Sequence, residues 1–449
     1  MRMRFLFVLL AVQVAVLLGA GNARAVQVER VVSPGGIEAW LIEDHTNPII
    51  SLDLAFRGGA ALDPAGKAGL ANMVSGLIDE GAGGLESQAF QGRLEDLSIR
   101  LRFSAGRDVF NGELRTLSEN RAAAFDLLRL ALTQPRFDAE PVERIRAQIL
   151  AGLARRAENP NSIAARTLRR ILFPNHPYGQ PVEGTPESVE SVTVADLGRF
   201  VAARFGRDTL IIGVVGDITP DALGQLLDKT FLDLPARAGA FEVAAARPSG
   251  AGRLVIVEKD VPQSVVLFGQ EGILRDDPDY YAAYVVNYIL GGGGFSSRLY
   301  KEVREKRGLA YSVYSYLQPM DHGALVVGGV ATQNGRVARA LELIRAEWAR
   351  MGEAGPSATE LDDAKRYLTG SFPLRFSSSG RISGMLVGMQ LEHLGIDYLD
   401  RRNALIEAVD LDTARRVARR LYDADKLAVV VVGHPDGLAA SDPTPKPNG

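Results

Sequence analysis

The sequence predicts an α+β protein made of two homologous domains, each a mostly antiparallel sheet packed with helices. Three observations carry this. The chain has 449 residues, too many for one ordinary hydrophobic core. Two segments align without a gap at an offset of 217 residues: VTVADLGRFVAARFGRDTLIIGVVGD from Val192 and VDLDTARRVARRLYDADKLAVVVVGH from Val409. Finally, hairpin-like strand pairs alternate with long helical runs without regular βαβ alternation.

Taken in chain order, the N-terminus reads as an export signal over residues 1–25. Arg2 and Arg4 form a basic start, FLFVLLAVQVAVLLGA is the apolar stretch, and ARA at Ala23–Ala25 is a small-residue cleavage site. Its removal would take away three arginines and no acids, moving the net charge from −3 to −6. That mild acidity gives no basis for nucleic-acid binding. Cysteine is absent, which excludes a lipid-modified cysteine, disulfides and thiolate metal sites. A large exported chain without disulfides is expected to be a soluble periplasmic protein with no stable membrane anchor after cleavage.

The first domain is expected over residues 26–235. IISLDLAF (Ile49–Phe56) is a strand, and GKAGLANMVSGLIDEGAGG from Gly66 is a glycine-bounded turn leading into an apolar, helix-spaced run. IRLRFSAGRDVFNGELRTL has turn residues between two period-2 segments, the mark of a hairpin. FDAEPVERIRAQILAGL then resembles PSATELDDAKRYLTGSF of the second half, a looser repeat in the same order. Residues 236–252, rich in Ala, Gly and Arg, form the linker. The second domain, residues 253–440, repeats the pattern with the strand SVVLFGQ and the hairpin LAYSVYSYLQPMDHGALVVGGVAT. Residues 441–449, SDPTPKPNG, read as a disordered tail.

Chemistry is sparse. No two of the five histidines (His45, His176, His322, His393, His434) lie within a helical turn, so none can chelate a metal as a helical pair. His393 in QLEHLG reads as a solvated helix face, and His176 as a loop residue with a local hydrogen-bonding role. Neither a serine-hydrolase elbow nor a phosphate-binding loop is present. The most distinctive run is LGGGGFSSRLYKEVREKRGLAYSVYSY from Leu290. Four glycines permit close backbone approach or a flexible connector. Ser296 or Ser297 can cap a helix in which Leu299 and Val303 face the core, with Lys301/Glu305 and Glu302/Lys306 as solvent-side pairs. Gly308 ends it before a strand starting at Tyr311. Arg304 has no acidic neighbour at helical spacing, and a helix–Gly–strand turn could bring it beside the Tyr311 hydroxyl. Both are donors suited to a carbonyl oxygen gaining negative charge. By spacing alone, an exposed arginine and a half-buried tyrosine is the better account.

At these residues the chain resembles the pitrilysin/insulinase family of zinc metallopeptidases, in its processing-peptidase-like branch. The markers are GLANMVSGLIDEGAGG, ENPNSIAARTL with HPYGQPVEGTPESV, the two Val-Val-Gly strand ends, and GGGGFSSRLYKEVREKRGLAYSVYS. The resemblance implies two similar domains forming half of a clamshell-shaped chamber. Active members carry His-x-x-Glu-His on the helix matching Gly69–Leu77. Here Asn72 and Gly76 stand at the histidines, Ser75 at the glutamate, and Gly152 at the distant glutamate ligand. No catalytic zinc is therefore expected in this chain. The family's substrate-holding arginine and tyrosine match Arg304 and Tyr311. The tetraglycine, with Gly292 and Gly293 as substrate-binding positions, resembles the start of the glycine-rich loop of a non-catalytic processing-peptidase subunit, without its long extension. The implied function is that of the non-zinc subunit of a heterodimeric periplasmic peptidase, whose homologous partner holds the zinc. The alternative is an inactive scaffold or peptide-binding protein of the same fold.

Overall fold

The structure, a computed structural model, describes residues 27–441. The expected export signal, residues 1–25, lies outside the described residues, as does the tail from residue 442 onward. Among the described residues, no helix is long and apolar enough to cross a membrane.

Eleven strands form two sheets among the described residues. The first contains β1 (Glu29–Val32), β2 (Glu38–Glu43), β3 (Ile49–Arg57), β4 (Arg100–Ala105), β5 (Val109–Leu117) and β6 (Leu210–Gly216), in the order β1-β2-β6-β3-β5-β4. The second contains β7 (Leu254–Val257), β8 (Ser264–Glu271), β9 (Ala310–Met320), β10 (Gly323–Thr332) and β11 (Ala428–Val432), in the order β7-β11-β8-β10-β9. Without β1, the two orders are the same. In each sheet the Val-Val-Gly strand pairs in parallel with the domain's early strand, and the other pairings are antiparallel. The helices repeat as well. Ala139–Glu158 corresponds to Ala358–Gly370, Pro160–Leu172 to Ser379–Leu391, and Val194–Arg204 to Leu411–Leu421.

The residue patterns account for these elements. β5 alternates half-buried and buried positions along VFNGELRTL, because it presents one face to the core. β11, AVVVV, is buried at every position because apolar layers cover both of its faces. Thr193 caps Val194–Arg204 through a reciprocal box with Asp196, and Ser357 caps Ala358–Gly370 with Glu360. Between Phe231 and Leu254 no helix or strand forms, but the segment is fastened to its surroundings. The Ala246 amide donates to the His322 carbonyl at 2.6 Å. Ser441, assigned to the tail from sequence, pairs with Leu254, accepting from its amide at 2.7 Å and donating to its carbonyl at 2.9 Å.

The two halves exchange helices. Pro160–Leu172 belongs to the first half of the chain, yet it packs on β8 and β11 of the second sheet. Its Ala164, Leu168, Ile171 and Leu172 join a core with Val265, Val430 and Val432. Ser379–Leu391 does the reverse, packing on β3 and β6, with Leu386 and Met389 against Trp40, Ile42 and Val215. Gly213 of β6 makes this contact possible: a Cβ there would lie 2.5 Å from the Ser383 carbonyl oxygen. The Gln390 amide also donates to the Ile212 carbonyl at 2.9 Å. Each half thus completes the other's core.

Candidate functional site

The helix Leu70–Ser75 is shorter than the Gly69–Leu77 read from sequence. It starts where Asp63 accepts the Gly69 and Ala71 amides at 2.9 and 3.1 Å. Burial pushes the Asp63 carboxyl up to about 7, against the pull of those amides. The helix ends at Gly76, whose amide returns to the Asn72 carbonyl at 3.2 Å, and the chain then turns. Glycine's weak helix propensity accounts for the early stop.

Asn72, Ser75, Gly76 and Gly152 come together on the wall of one cavity of about 620 Å³. Residues 76 positions apart in sequence are thus neighbours in space, as the alignment of Gly152 with a distant ligand requires. The side chains there do not fit a zinc ion. Gly76 and Gly152 contribute none, the Ser75 hydroxyl is committed to the Asn72 carbonyl at 2.8 Å, and the charged groups on the wall are Arg155 and Arg156. Zinc requires imidazole, carboxylate or thiolate donors and repels guanidinium. Among the described residues, no three His, Cys, Asp or Glu side chains are grouped as a metal would need.

The second constellation sits on the glycine-rich run and the edge strand β9. Tyr280–Asn287 continues into a wider π turn over Tyr288–Gly292. Gly291 meets β9 so closely that a Cβ would lie 2.4 Å from Ser315 Oγ, so this glycine serves backbone approach. A buried clasp fixes the contact: Ser315 Oγ donates to Asn287 Oδ1 at 2.8 Å, and Asn287 Nδ2 donates to the Ser315 carbonyl at 3.2 Å. Gly292 is exposed and lines a surface cavity with Tyr284, Tyr288, Tyr314 and Tyr316. Gly293 lies beside that cavity, its amide donating to the Tyr288 carbonyl at 2.8 Å.

Past the glycines, Arg298 anchors the run. It makes two 2.7 Å bonds to the Glu360 carboxylate and one of 2.9 Å to the Gly355 carbonyl. Burial opposes ionisation of Glu360, but this fork and the Ser357 amide hold its carboxyl down to about 2. Leu299 and Val303 are fully buried, as their spacing predicts. Tyr300–Glu305 is a π turn, however, rather than the expected α-helix, with the Lys306 amide bonded to the Lys301 carbonyl at 2.9 Å. The Lys301/Glu305 pair does not form; Glu302 instead binds both Lys306 (2.6 Å) and Arg307 (2.5 Å).

Arg304 and Tyr311 meet. The guanidinium carbon stands 4.7 Å from the Tyr311 ring centroid, 4.7 Å from that of Tyr300 and 5.6 Å from that of Phe295. Such stacking leaves guanidinium N–H groups at the edge for a ligand. One Arg304 N–H donates to the Tyr300 hydroxyl, and no carboxylate is paired with Arg304 among the described residues. Tyr311 is 82% exposed and Phe295 75% exposed. Tyr311 and Phe295 are thus at the surface rather than part of the buried core. Sequence spacing pointed to Arg304 and Tyr311 but missed Phe295 and Tyr300, which complete the aromatic setting. Tyr300, four residues before Arg304, carried the available signal.

The other histidines stay apart from both sites. His176 accepts the Tyr178 amide at 3.1 Å and bonds the Ala244 carbonyl at 2.9 Å, the local role expected of it. His393 lies past the end of its helix at φ 51°, beside Arg57, rather than on a helix face.

Comparison with known proteins agrees with this picture. Residues 39–186 match the family described as Insulinase (Peptidase family M16), and residues 191–368 match the Peptidase M16 inactive domain. The chain is 31% identical over 336 residues to the non-peptidase homolog YmxG of Helicobacter pylori, covering 74% of this chain and 77% of that one. It is 30% identical over 319 residues to an uncharacterized zinc protease of Streptomyces coelicolor, covering 68% of each. Among solved structures, a peptidase M16 inactive domain from Pseudomonas fluorescens superposes with a TM-score of 0.85 at 29% identity, over 93% of this chain and all of that one. A Helicobacter pylori protease shares the fold with a TM-score of 0.82 at 19% identity, over 91% of this chain and all of that one. With the duplicated α+β fold, the degenerate metal-site helix and both family matches in place, the chain belongs to the M16 insulinase family.

Proposed function

We propose that this protein is the non-zinc subunit of a two-subunit periplasmic peptidase, paired with a homologous chain that carries His-x-x-Glu-His and the metal. One observation carries the reading: Asn72, Ser75, Gly76 and Gly152 offer no zinc ligand set, while the half-buried Arg304 stacks on the exposed Tyr311 without an acidic partner. The likeness to one relative named a non-peptidase homolog and to others named zinc proteases supports it. The partner's zinc would supply the activated water. This chain's Arg304 and Tyr311 would hold the scissile carbonyl and donate to its oxygen as negative charge grows there. Gly292 and Gly293, beside exposed tyrosines, would leave the peptide backbone room to lie close. An enclosed chamber favours peptides and unfolded segments over folded proteins.

The test is reconstitution with the zinc-bearing homologue, measuring zinc and peptide cleavage. Activity is expected only from the mixture. Removing one oxyanion-type donor usually costs about 10²–10³ in turnover. Arg304→Ala and Tyr311→Phe should each reduce the pair's turnover on that scale at unchanged zinc content. Near-wild-type turnover in both variants overturns the role, and cleavage by the lone chain overturns the pairing.

A further inference from the structure

Beside the degenerate metal position lies a second cavity, of about 300 Å³. Its wall is formed by the helix end at Arg156, the helix Pro160–Leu172, the β4–β5 turn and the loop Gly179–Gly184. Arg156 and Ser162 line both cavities, so the two are neighbours with a shared wall. Four arginines line the second one, Arg107, Arg156, Arg166 and Arg169, against one acid, Glu183. Arg155 adds a fifth cation on the side of the degenerate site.

Local structure neutralises only part of this charge. Glu183 stands 3.6 Å from Arg156. Asp108, the next acid, accepts the Tyr178 hydroxyl at 2.7 Å and the Asp321 amide at 3.3 Å, and its charge favours the cationic forms of Arg107 and Arg169 through space. Arg169 donates to neutral acceptors only, Gln318 Oε1 at 2.7 Å and Met320 Sδ at 3.5 Å. Arg107 Nε is buried and hydrogen-bonded to nothing among the described residues. Burial, reinforced by the Arg107 charge, brings the Arg169 guanidinium down to about 10, and burial lowers that of Arg107 as well. Both remain cations at neutral pH. Crowded, desolvated guanidinium groups with an unused buried donor are costly unless an anion joins them. Arginine forks match the two oxygens of a carboxylate or a phosphate in a two-bond geometry, and of these a carboxylate is the anion a peptide carries in its own side chains.

We infer that this cavity is a carboxylate-binding subsite that recognises acidic side chains of a peptide lying along the former metal site. The inference rests on the peptide-chamber reading above and adds a preference for acidic segments. Loss of the metal fits it: without a dication beside them, Arg155 and Arg156 face the cavity without repulsion from bound zinc.

Binding to the purified lone chain tests this without the partner or turnover, so a failure here leaves the Arg304 and Tyr311 test intact, and the reverse also holds. The probes are a short fluorescein-labelled peptide rich in glutamate and its glutamine counterpart, read by anisotropy. Glutarate and inorganic phosphate serve as competitors. The glutamate peptide should bind about tenfold or more tightly than the glutamine one, with the preference shrinking as salt rises. Glutarate should displace it. Arg156→Gln with Arg166→Gln, both on exposed helix surface, should remove most of the preference while circular dichroism stays unchanged. Equal affinity for the two peptides overturns the inference. A preference that survives the double substitution overturns the site, and displacement by phosphate but not glutarate overturns the carboxylate assignment.

Discussion

Leu386→Ala should weaken both domains as one unit, although Leu386 belongs to the second half of the chain and is buried in the first. Its side chain is fully enclosed between the exchanged helix Ser379–Leu391 and the face of β6 that carries Trp40's neighbours. Truncating a buried leucine costs about 2–5 kcal/mol, depending on how far the site can collapse. Collapse is limited here, because β6 is held on one side by β2 and on the other by β3, and Gly213 already places the helix backbone against the strand. The upper part of that range, about 3–5 kcal/mol, is therefore expected. With a urea dependence of about 3 kcal/mol/M, the midpoint should fall by about 1 M or more. The protein's two tryptophans provide the assay: Trp40 sits in the first sheet and Trp348 in the second core. Single-tryptophan versions, Trp40→Phe and Trp348→Phe, report one domain each. In each background, Leu386→Ala should lower the transition, because the exchanged helices make each core depend on the other half; the two shifts need not be equal, since Trp40 itself packs against Leu386. A shift seen by Trp40 with none seen by Trp348 would refute the coupling.

Two further outcomes follow from the sites. The Glu360 carboxyl is held at about 2 when folded, below its ordinary value of 4.5, so the Arg298–Glu360 fork stabilises the fold above pH 4.5. That contribution is lost as pH falls from about 4.5 to about 2; Glu360→Gln should lower thermal stability at pH 7 and converge with the wild type near pH 2. Restoring the family ligands with Asn72→His, Ser75→Glu, Gly76→His and Gly152→Glu should create stoichiometric zinc retention after dialysis, measured by atomic absorption. A folded variant that retains no zinc would show that the four positions do not form a ligand set.

Local pattern made much of this legible. Period-2 segments marked the β4–β5 and β9–β10 hairpins, IISLDLAF and SVVLFGQ were legible as the strands β3 and β8, and the 217-residue repeat anticipated the shared sheet order. The buried Leu299 and Val303 followed from helical spacing. The π turn at Tyr300–Glu305 did not, because its apolar spacing over one turn resembles that of an α-helix. The length of the helix at Leu70 was overestimated for a related reason: apolar residues continue past Gly76 into a turn that is also buried. Arg107 and Arg169 were invisible as a pair, since nothing local joins a hairpin turn to a helical residue 62 positions later.

The sequence by itself determined the duplicated α+β design, the non-ligating residues Asn72, Ser75, Gly76 and Gly152 at the positions the family resemblance assigns to zinc ligands, and the seven-residue spacing of Arg304 and Tyr311, because each is written in residue identity and spacing. Only the tertiary structure decided that the halves exchange helices, that Phe295 and Tyr300 enclose Arg304 with Tyr311, and that arginines gather beside the emptied site. Those features depend on which distant surfaces meet, and that is set by burying the apolar faces of both halves together.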